Sequence, residues 1–324
     1  MSPTRPAITI GMMAHNSAQF IGEAIESVLS QEMQEWELLI ADDASDDATA
    51  DAVRPYLRDA RIRYHRHDVN IGQANNWWFL IEHARAPVFA RLDGDDAWFP
   101  TTAARMVGAH SAGADIYYGA WVRFYQDQGH LAQGPRIRTG ESTGVSTYAL
   151  QIRHNSALQG AMSYRTDLAR HAGMPLPELK YMVDYEYVLR LLAIATRVVG
   201  TSEPLLRYRV HAASATAAAQ ASLGYLEERA RLYDACRRHV GLNPAIAEHL
   251  SVLWITLCRE DFSDGLSEAV RRDWEAGVAI MRDAVRRCPT LLRSPKVIMD
   301  LALACLGHTG RRAMRVIHRH RVMA

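Results

Sequence analysis

Three aspartates stand around one glycine directly after a run that reads as a buried strand. Here Val88-Phe89-Ala90-Arg91-Leu92 leads into Asp93-Gly94-Asp95-Asp96, and Ala97-Trp98-Phe99-Pro100 follows. A short, mostly apolar run suits a strand buried in a sheet, and Gly94 lets the chain turn sharply as it leaves. Asp93, Asp95 and Asp96 then gather at the strand's carboxyl end, where open α/β sheets bind ligands. Two carboxylates about 4 Å apart repel by roughly 4 kcal/mol at an effective dielectric of about 20. Such a cluster has to be exposed, protonated or neutralised by a cation, and oxygen ligands of this kind suit Mg²⁺ or Mn²⁺. A solvated acidic turn is the plainer reading of an isolated Asp-Gly-Asp-Asp, so the rest of the chain decides.

Strands and helices alternate around this stretch. Ala7 to Met13, Trp36 to Ala41 and Ile62 to His65 read as strands. A helix is expected to Ser30, capped by Asn16 or Ser17, with Phe20, Ile21, Ala24, Ile25, Val28 and Leu29 on one face. Further helices are expected from about Asp47 to Leu57, from about Gly72 to Ala84, and after Pro100, placed as a first-turn proline. This alternation argues for βαβ units in a largely parallel sheet whose right-handed crossovers put every strand's carboxyl end on one rim. The rim would carry Ala14-His15-Asn16, Asp42-Asp43-Ala44-Ser45 and Asp93 to Asp96. An aspartate there can accept hydrogen bonds from a base or a ribose, and another can hold a metal bridging a diphosphate. The chain has no Gly-x-x-x-x-Gly-Lys-Ser/Thr, and no Gly-x-Gly-x-x-Gly after its first strand, so phosphates would be held through the metal.

These stretches, in this order, resemble an inverting glycosyltransferase of family 2 with the GT-A, Rossmann-like nucleotide-diphosphosugar fold. The resemblance covers roughly residues 7 to 215. Ile8 to Asn16 stands where that family runs a strand into Pro-Thr-Tyr-Asn, and Ala24 to Gln31 is close to its first helix. Asp42-Asp43-Ala44-Ser45-Asp46-Asp47 resembles Asp-Asp-Gly-Ser-Thr-Asp, which gives Asp43 the reading of the base. Leu92 to Asp96 resembles the Asp-x-Asp element: Asp93 faces ribose and metal, Gly94 sits beside the donor, and Asp95 is the principal metal ligand. Tyr181-Met182-Val183-Asp184-Tyr185 resembles Glu-Asp-Tyr at a helix start, which makes Asp184 the general base, with Val183 in place of the glutamate. A carboxylate there would take the acceptor's proton as its hydroxyl attacks the anomeric carbon. Glu186 ranks second, and a capping role for Asp184 is compatible with catalysis. Tyr208-Arg209-Val210-His211 resembles Tyr-Arg-x-His: His211 meets metal or diphosphate, and Arg209 assists.

Two departures stand out. Met13-Ala14-His15 replaces Pro-Thr-Tyr, so Ala14, His15 and Asn16 form an altered side of the base pocket. Gly72-Gln73-Ala74-Asn75-Asn76-Trp77 replaces Gly-x-x-x-Ala-Arg-Asn, which leaves Asn76 at the donor and Trp78 for the core.

The resemblance implies a catalytic domain over 1–215, with a nucleotide half to about 112 and an acceptor half from about 113, then a helical extension over 216–324. Asp115 to Tyr125 reads as one or two strands, and Gln126 to Ser146 as an acceptor-side loop over the active site. The implied donor is a nucleotide-diphosphate sugar, UDP-linked ahead of GDP- or dTDP-linked, with Mn²⁺ or Mg²⁺. The acceptor is a hydroxyl, lipid-linked in many such enzymes. A net charge of +1 gives no reason to expect nucleic acid. Four scattered cysteines read as reduced thiols, and no segment reaches about 18 uninterrupted apolar residues, so a cytoplasmic protein is expected. The apolar stretch Pro295 to Gly307, followed by Arg311, Arg312, Arg315, Arg319 and Arg321, suits contact with the inner face of a membrane, packing on the catalytic domain, or a second subunit in a homo-oligomer. Two other classes compete: a non-catalytic nucleotide-sugar-binding protein on the same fold, and a phosphatase with an Asp-x-Asp nucleophile. The latter expects Thr or Val where Ala97 stands.

Overall fold

The computed structural model describes residues 5–125, 130–134, 137–153, 159–211, 224–305 and Met314. In chain order its strands are β1 Ile8–Ala14, β2 Trp36–Asp42, β3 Ile62–Arg66, β4 Val88–Asp93, β5 Ala97–Trp98, β6 Ile116–Tyr125, β7 His130–Gln133, β8 Gly140–Ser142, β9 Met162–Arg165 and β10 Val198–Val210. The first helices are α1 Ile21–Leu29, α2 Thr49–Val53, α3 Gln73–His83, α4 Thr102–Ser111, α5 Gly144–Gln151, α6 Thr166–Ala172 and α7 Val183–Ile194. Four more follow: α8 Gly224–Leu242, α9 Ala247–Arg271, α10 Trp274–Arg287 and α11 Pro295–Cys305.

The strands form one sheet in the order β3-β2-β1-β4-β9-β6-β10-β5, with β7 on β6 and β8 on β10. The half from β3 to β4 is parallel throughout, as the βαβ alternation predicts. β9 then runs antiparallel to both β4 and β6, so the second half is mixed. β1 and β2 are apolar along nearly their whole length because helices cover the parallel half. Ile10, Met12, Leu38, Ile40, Ala90 and Leu92 meet α1 residues Ile21, Ile25 and Val28 in one core. Register decides where the chemistry goes. Ala14 pairs with Asp42 and Met13 with Asp93, so three acidic or polar loops leave the sheet side by side.

Several local expectations are corrected. α1 begins at Ile21 after an uncapped Phe20: the Asn16 side chain accepts the Asp46 amide instead, and the Asn16 and Ser17 amides donate to Ser45 and Thr49. α4 starts at Thr102, leaving Pro100 just outside the helix. The expected loop over 126–146 contains β7 and β8 and the start of α5.

The described chain divides into two units, Met1–Ile246 and Ala247–Ala324. The expected boundary at 215 lies outside the described residues, and the first unit takes in α8. In the second unit α9 and α10 approach so closely that a Cβ on Gly277 would lie 2.2 Å from the Ala269 nitrogen. Cys258, Phe262, Met281 and Leu291 belong to that unit's own core. Cys236, Cys258 and Cys288 are free thiols.

Candidate active site

The rim is built from backbone conformations that few residues tolerate. Asn16 and Ala44 both sit at positive φ, 52° and 55°. Ala44 does so without a glycine's freedom, at a cost of about 1–2 kcal/mol for an L-residue. The turn is held from all sides. Asp42 accepts from the Ser45 amide at 2.9 Å, the Ser45 hydroxyl at 2.6 Å and the Tyr64 hydroxyl at 2.5 Å. The Asn16 amide donates to the Ser45 hydroxyl, and the Asp46 amide donates to the Asn16 side chain. His15 is exposed, with Nδ1 2.9 Å from the Asp43 carbonyl, and the Ala14 carbonyl accepts from the Asp43 amide.

Asp43, the expected reader of the base, is buried and accepts the Ile71 amide at 2.6 Å and the Gly72 amide at 3.0 Å. Each oxygen keeps a further lone pair for a ligand. Asn76 is turned inward: it donates to the Ala41 carbonyl at 3.0 Å, and its carbonyl oxygen lies 3.1 Å from His67 Nε2. It braces the end of β2 rather than facing the rim.

Asp93, Gly94, Asp95 and Asp96 form a tight turn after β4. The Gly94 amide donates to the Met13 carbonyl, and a Cβ on Gly94 would come 3.3 Å from that oxygen and from Ser17. Asp95 Oδ2 lies 3.0 Å from His211 Nε2. Burial, then the neighbouring Asp93 charge, pushes the Asp95 carboxyl above its ordinary value, while His211 pulls the other way. Asp96 is raised further, by burial and then by Asp95 and Asp93. Arg209 is fastened beneath the turn: its amide donates to Asp96, Nε donates to the Asp95 carbonyl at 2.8 Å, and Nη2 donates to Glu23 at 2.5 Å. Its guanidinium lies over Phe20 and Phe124, so Arg209 braces the Asp-x-Asp turn.

Arg91 was not singled out from the sequence. One pleat from Asp93 on β4, it shares that residue's face and grips it through Nε at 2.8 Å and Nη2 at 2.7 Å. It is 5% exposed, stacks over Trp77, and its Nη1 has no hydrogen-bond partner among the described residues. Burial opposes its charge, yet Asp93 and, further off, Asp184 hold the guanidinium above its ordinary value. Asp184 is the second residue of α7 and half-buried, with Oδ1 accepting the Tyr185 amide. Burial raises its carboxyl, Arg91 opposes this, and Asp93 adds to it. Glu186 is bound inside, to Arg190 and His239.

Asp95 and His211 offer one oxygen and one nitrogen donor at a single point. Among the described residues no three His, Cys, Asp or Glu side chains converge on such a point. That suits an ion held by one or two protein groups and completed by substrate phosphates.

A parallel nucleotide-binding half with its acidic strand ends aligned, joined to a mixed half that presents a carboxylate at a helix start, is the GT-A arrangement of nucleotide-sugar-dependent glycosyltransferases. The model for Glycosyl transferase family 2 matches residues 9–167, which places a domain of that family over that stretch. It is 27% identical over 238 residues to the putative glycosyltransferase EpsE of Bacillus subtilis (strain 168), a match spanning 72% of this chain and 83% of that one. It is 24% identical over 213 residues to the Escherichia coli UDP-Glc:alpha-D-GlcNAc-diphosphoundecaprenol beta-1,3-glucosyltransferase WfaP, spanning 65% and 80%. The crystal structure of S. aureus TarS 1–349 in complex with UDP-GlcNAc superposes with a TM-score of 0.66 at 16% identity, covering 97% of this chain and 91% of that one. That likeness speaks for the fold.

Proposed function

We propose that this glycosyltransferase is inverting and metal-dependent. It would move a sugar from a uridine-diphosphate donor to a hydroxyl of a lipid-linked glycan during polysaccharide assembly. One observation carries the reading. The buried Arg91 guanidinium grips Asp93 at the donor strand's end and has Asp184 of α7 among the charges that act on it, which supports a donor and an acceptor side in one site. The uridine donor is supported by two similar proteins, TarS in complex with UDP-GlcNAc and the UDP-Glc-dependent WfaP. WfaP, which acts on a GlcNAc-diphosphoundecaprenol, also supports a diphosphate-lipid acceptor.

Asp95 and His211 would hold Mn²⁺ or Mg²⁺, and the raised Asp95 carboxyl, crowded by Asp93, is the group a cation would relieve. When bound, the ion supplies positive charge for the departing diphosphate. The chain's own residues do the rest. Asp43 meets the base beside Ala14, His15 and Asn16, while Arg91 fixes Asp93 toward the ribose. Asp184 takes the acceptor hydroxyl's proton as the new oxygen–carbon bond forms and the anomeric carbon–phosphate oxygen bond breaks. A single displacement of this kind inverts the anomeric centre.

A thermal-shift panel of UDP, GDP, dTDP and their sugars, each with and without Mn²⁺ or Mg²⁺, tests the donor side. Uridine nucleotides should raise the melting temperature only when metal is present, as ligands that bind the folded state do. Equal stabilisation without metal would remove the ion from the account. No response to any nucleotide would remove the donor site.

A further inference from the structure

Helix α7 begins without a cap of its own, since Met182 makes no side-chain bond to the first amides. Backbone donors at a helix entrance need partners, above all when they are buried. The three amides that lead into α7 find theirs on one distant carboxylate. Glu228 of α8 accepts from Lys180 at 2.6 Å, Tyr181 at 2.8 Å and Met182 at 2.9 Å. It is 5% exposed, and burying a carboxylate is costly unless donors replace its water, as three amides do here.

Two more ties bind the same helices. His239 Nε2 lies 3.0 Å from Glu186 Oε1, with both side chains 2% exposed. Tyr181 lies flush on the start of α8: a Cβ on Gly224 would fall 2.2 Å from its ring, and Tyr225 packs edge-on at 5.8 Å. Helix α8 therefore grips the entrance of α7 on either side of Asp184, which is two residues beyond the last amide that Glu228 holds.

We propose that Glu228 is a positioning residue for sugar transfer. Its carboxylate fixes the 180–182 backbone, and through it the direction in which the first turn of α7 carries Asp184. The proposal rests on the reading of Asp184 as the base. Without the carboxylate, these three amides, the buried Met182 amide among them, lose their acceptor and the entrance shifts to find others. The donor side stands on β1, β2 and β4, none of which holds these amides, so donor binding is left alone. A role in cohesion alone would lower stability without separating turnover from donor affinity.

The test uses the full chain with Mn²⁺ as wild type, Glu228→Gln, Glu228→Asp and Asp184→Asn. UDP titration gives donor affinity, UDP release gives turnover on the donor the panel selects, and hydrogen exchange reads residues 180–190. Glu228→Gln should lower kcat by about ten- to a hundredfold, the scale of a misplacement of about 1 Å, with UDP affinity unchanged. Exchange at 180–182 should quicken, and Glu228→Asp, which keeps the charge on a shorter stem, should recover part of kcat. Wild-type kcat in Glu228→Gln, unchanged exchange at 180–182, or UDP affinity falling in step with kcat would each overturn the proposal. If Asp184→Asn still turns over, it is the base reading that fails. If that variant is dead while Glu228→Gln runs at the wild-type rate, the base stands and the positioning role falls.

Discussion

As the proposed base, Asp184 has to lose its own proton before it can take one from an acceptor, and its surroundings make that harder than in water. Burial is the larger cause, the Asp93 charge adds to it, and Arg91 offsets part of the rise. A base works deprotonated, so raising its pKa moves the acidic limb of the rate profile upward from the ordinary aspartate value of about 3.9. Turnover should therefore climb with pH through a limb above that value. Asp184→Asn should lose at least about a hundredfold in kcat, the usual scale for a general base, while UDP binding persists. A pH profile of UDP release checks both. An acidic limb surviving in the asparagine variant's residual activity would assign it to another group. Asp184 could be singled out as a candidate from the sequence because it stands at a helix start within a recognisable order of motifs. Arg91 could not, since an arginine inside an apolar run reads as an interruption. The signal was its spacing: residues two apart on a strand share a face, so Arg91 had to stand beside Asp93.

Among elements, the parallel strands were legible because burial on both faces demands continuous apolar runs, as Ile8–Ala14 and Trp36–Asp42 show. β7 and β8 were not, because short edge strands paired on one side need no such run. The cap of α1 was misplaced because the Asn16 side chain accepts the Asp46 amide, a partner distant in sequence, while the Asn16 and Ser17 amides donate to Ser45 and Thr49. Glu228 was invisible for the same reason, its three amides lying on another element. The α7–α8 contact carries its own prediction. Glu186 is buried, which raises its carboxyl, but the His239 bond and the Arg190 charge outweigh that and hold it below its ordinary value. A carboxyl with a lowered folded pKa binds fewer protons folded than unfolded. Its stabilisation is full above the unfolded value of about 4.3 and is lost as pH falls through the lowered one. Urea unfolding across that range should show the loss in wild type and a flatter dependence in Glu186→Gln. Glu186→Ala, which leaves Arg190 without its carboxylate, should cost about 3–5 kcal/mol near neutral pH. Identical pH slopes in wild type and Glu186→Gln would show that the ion pair carries none of the acid sensitivity.

Across the whole molecule, every residue of the proposed site lies within Met1–Ile246, and the second unit supplies none of them. Something else has to account for Ala247–Ala324. No helix among the described residues is long and apolar enough to cross a membrane. Helix α11 nevertheless turns Pro295, Ile298, Met299 and Ala302 outward, the spacing of one helical face, and exposed Leu292, Arg293 and Lys296 stand beside it. The arginines from Arg311 to Arg321 that prompted the membrane reading lie outside the described residues. An apolar face flanked by cations suits a surface rich in anionic lipid, which is where an enzyme with a lipid-linked acceptor would work. The full chain should then sediment with vesicles of phosphatidylcholine and phosphatidylglycerol and stay free of phosphatidylcholine alone. Added salt should weaken that binding because part of it is Coulombic. Replacing Ile298 and Met299 by Glu should abolish it and leave the metal-dependent response to UDP intact, since those residues lie outside the unit that holds the donor site. Sedimentation with both vesicle types alike, or with neither, would remove the membrane from the account of α11 without touching the chemistry assigned to Asp95, His211 and Asp184.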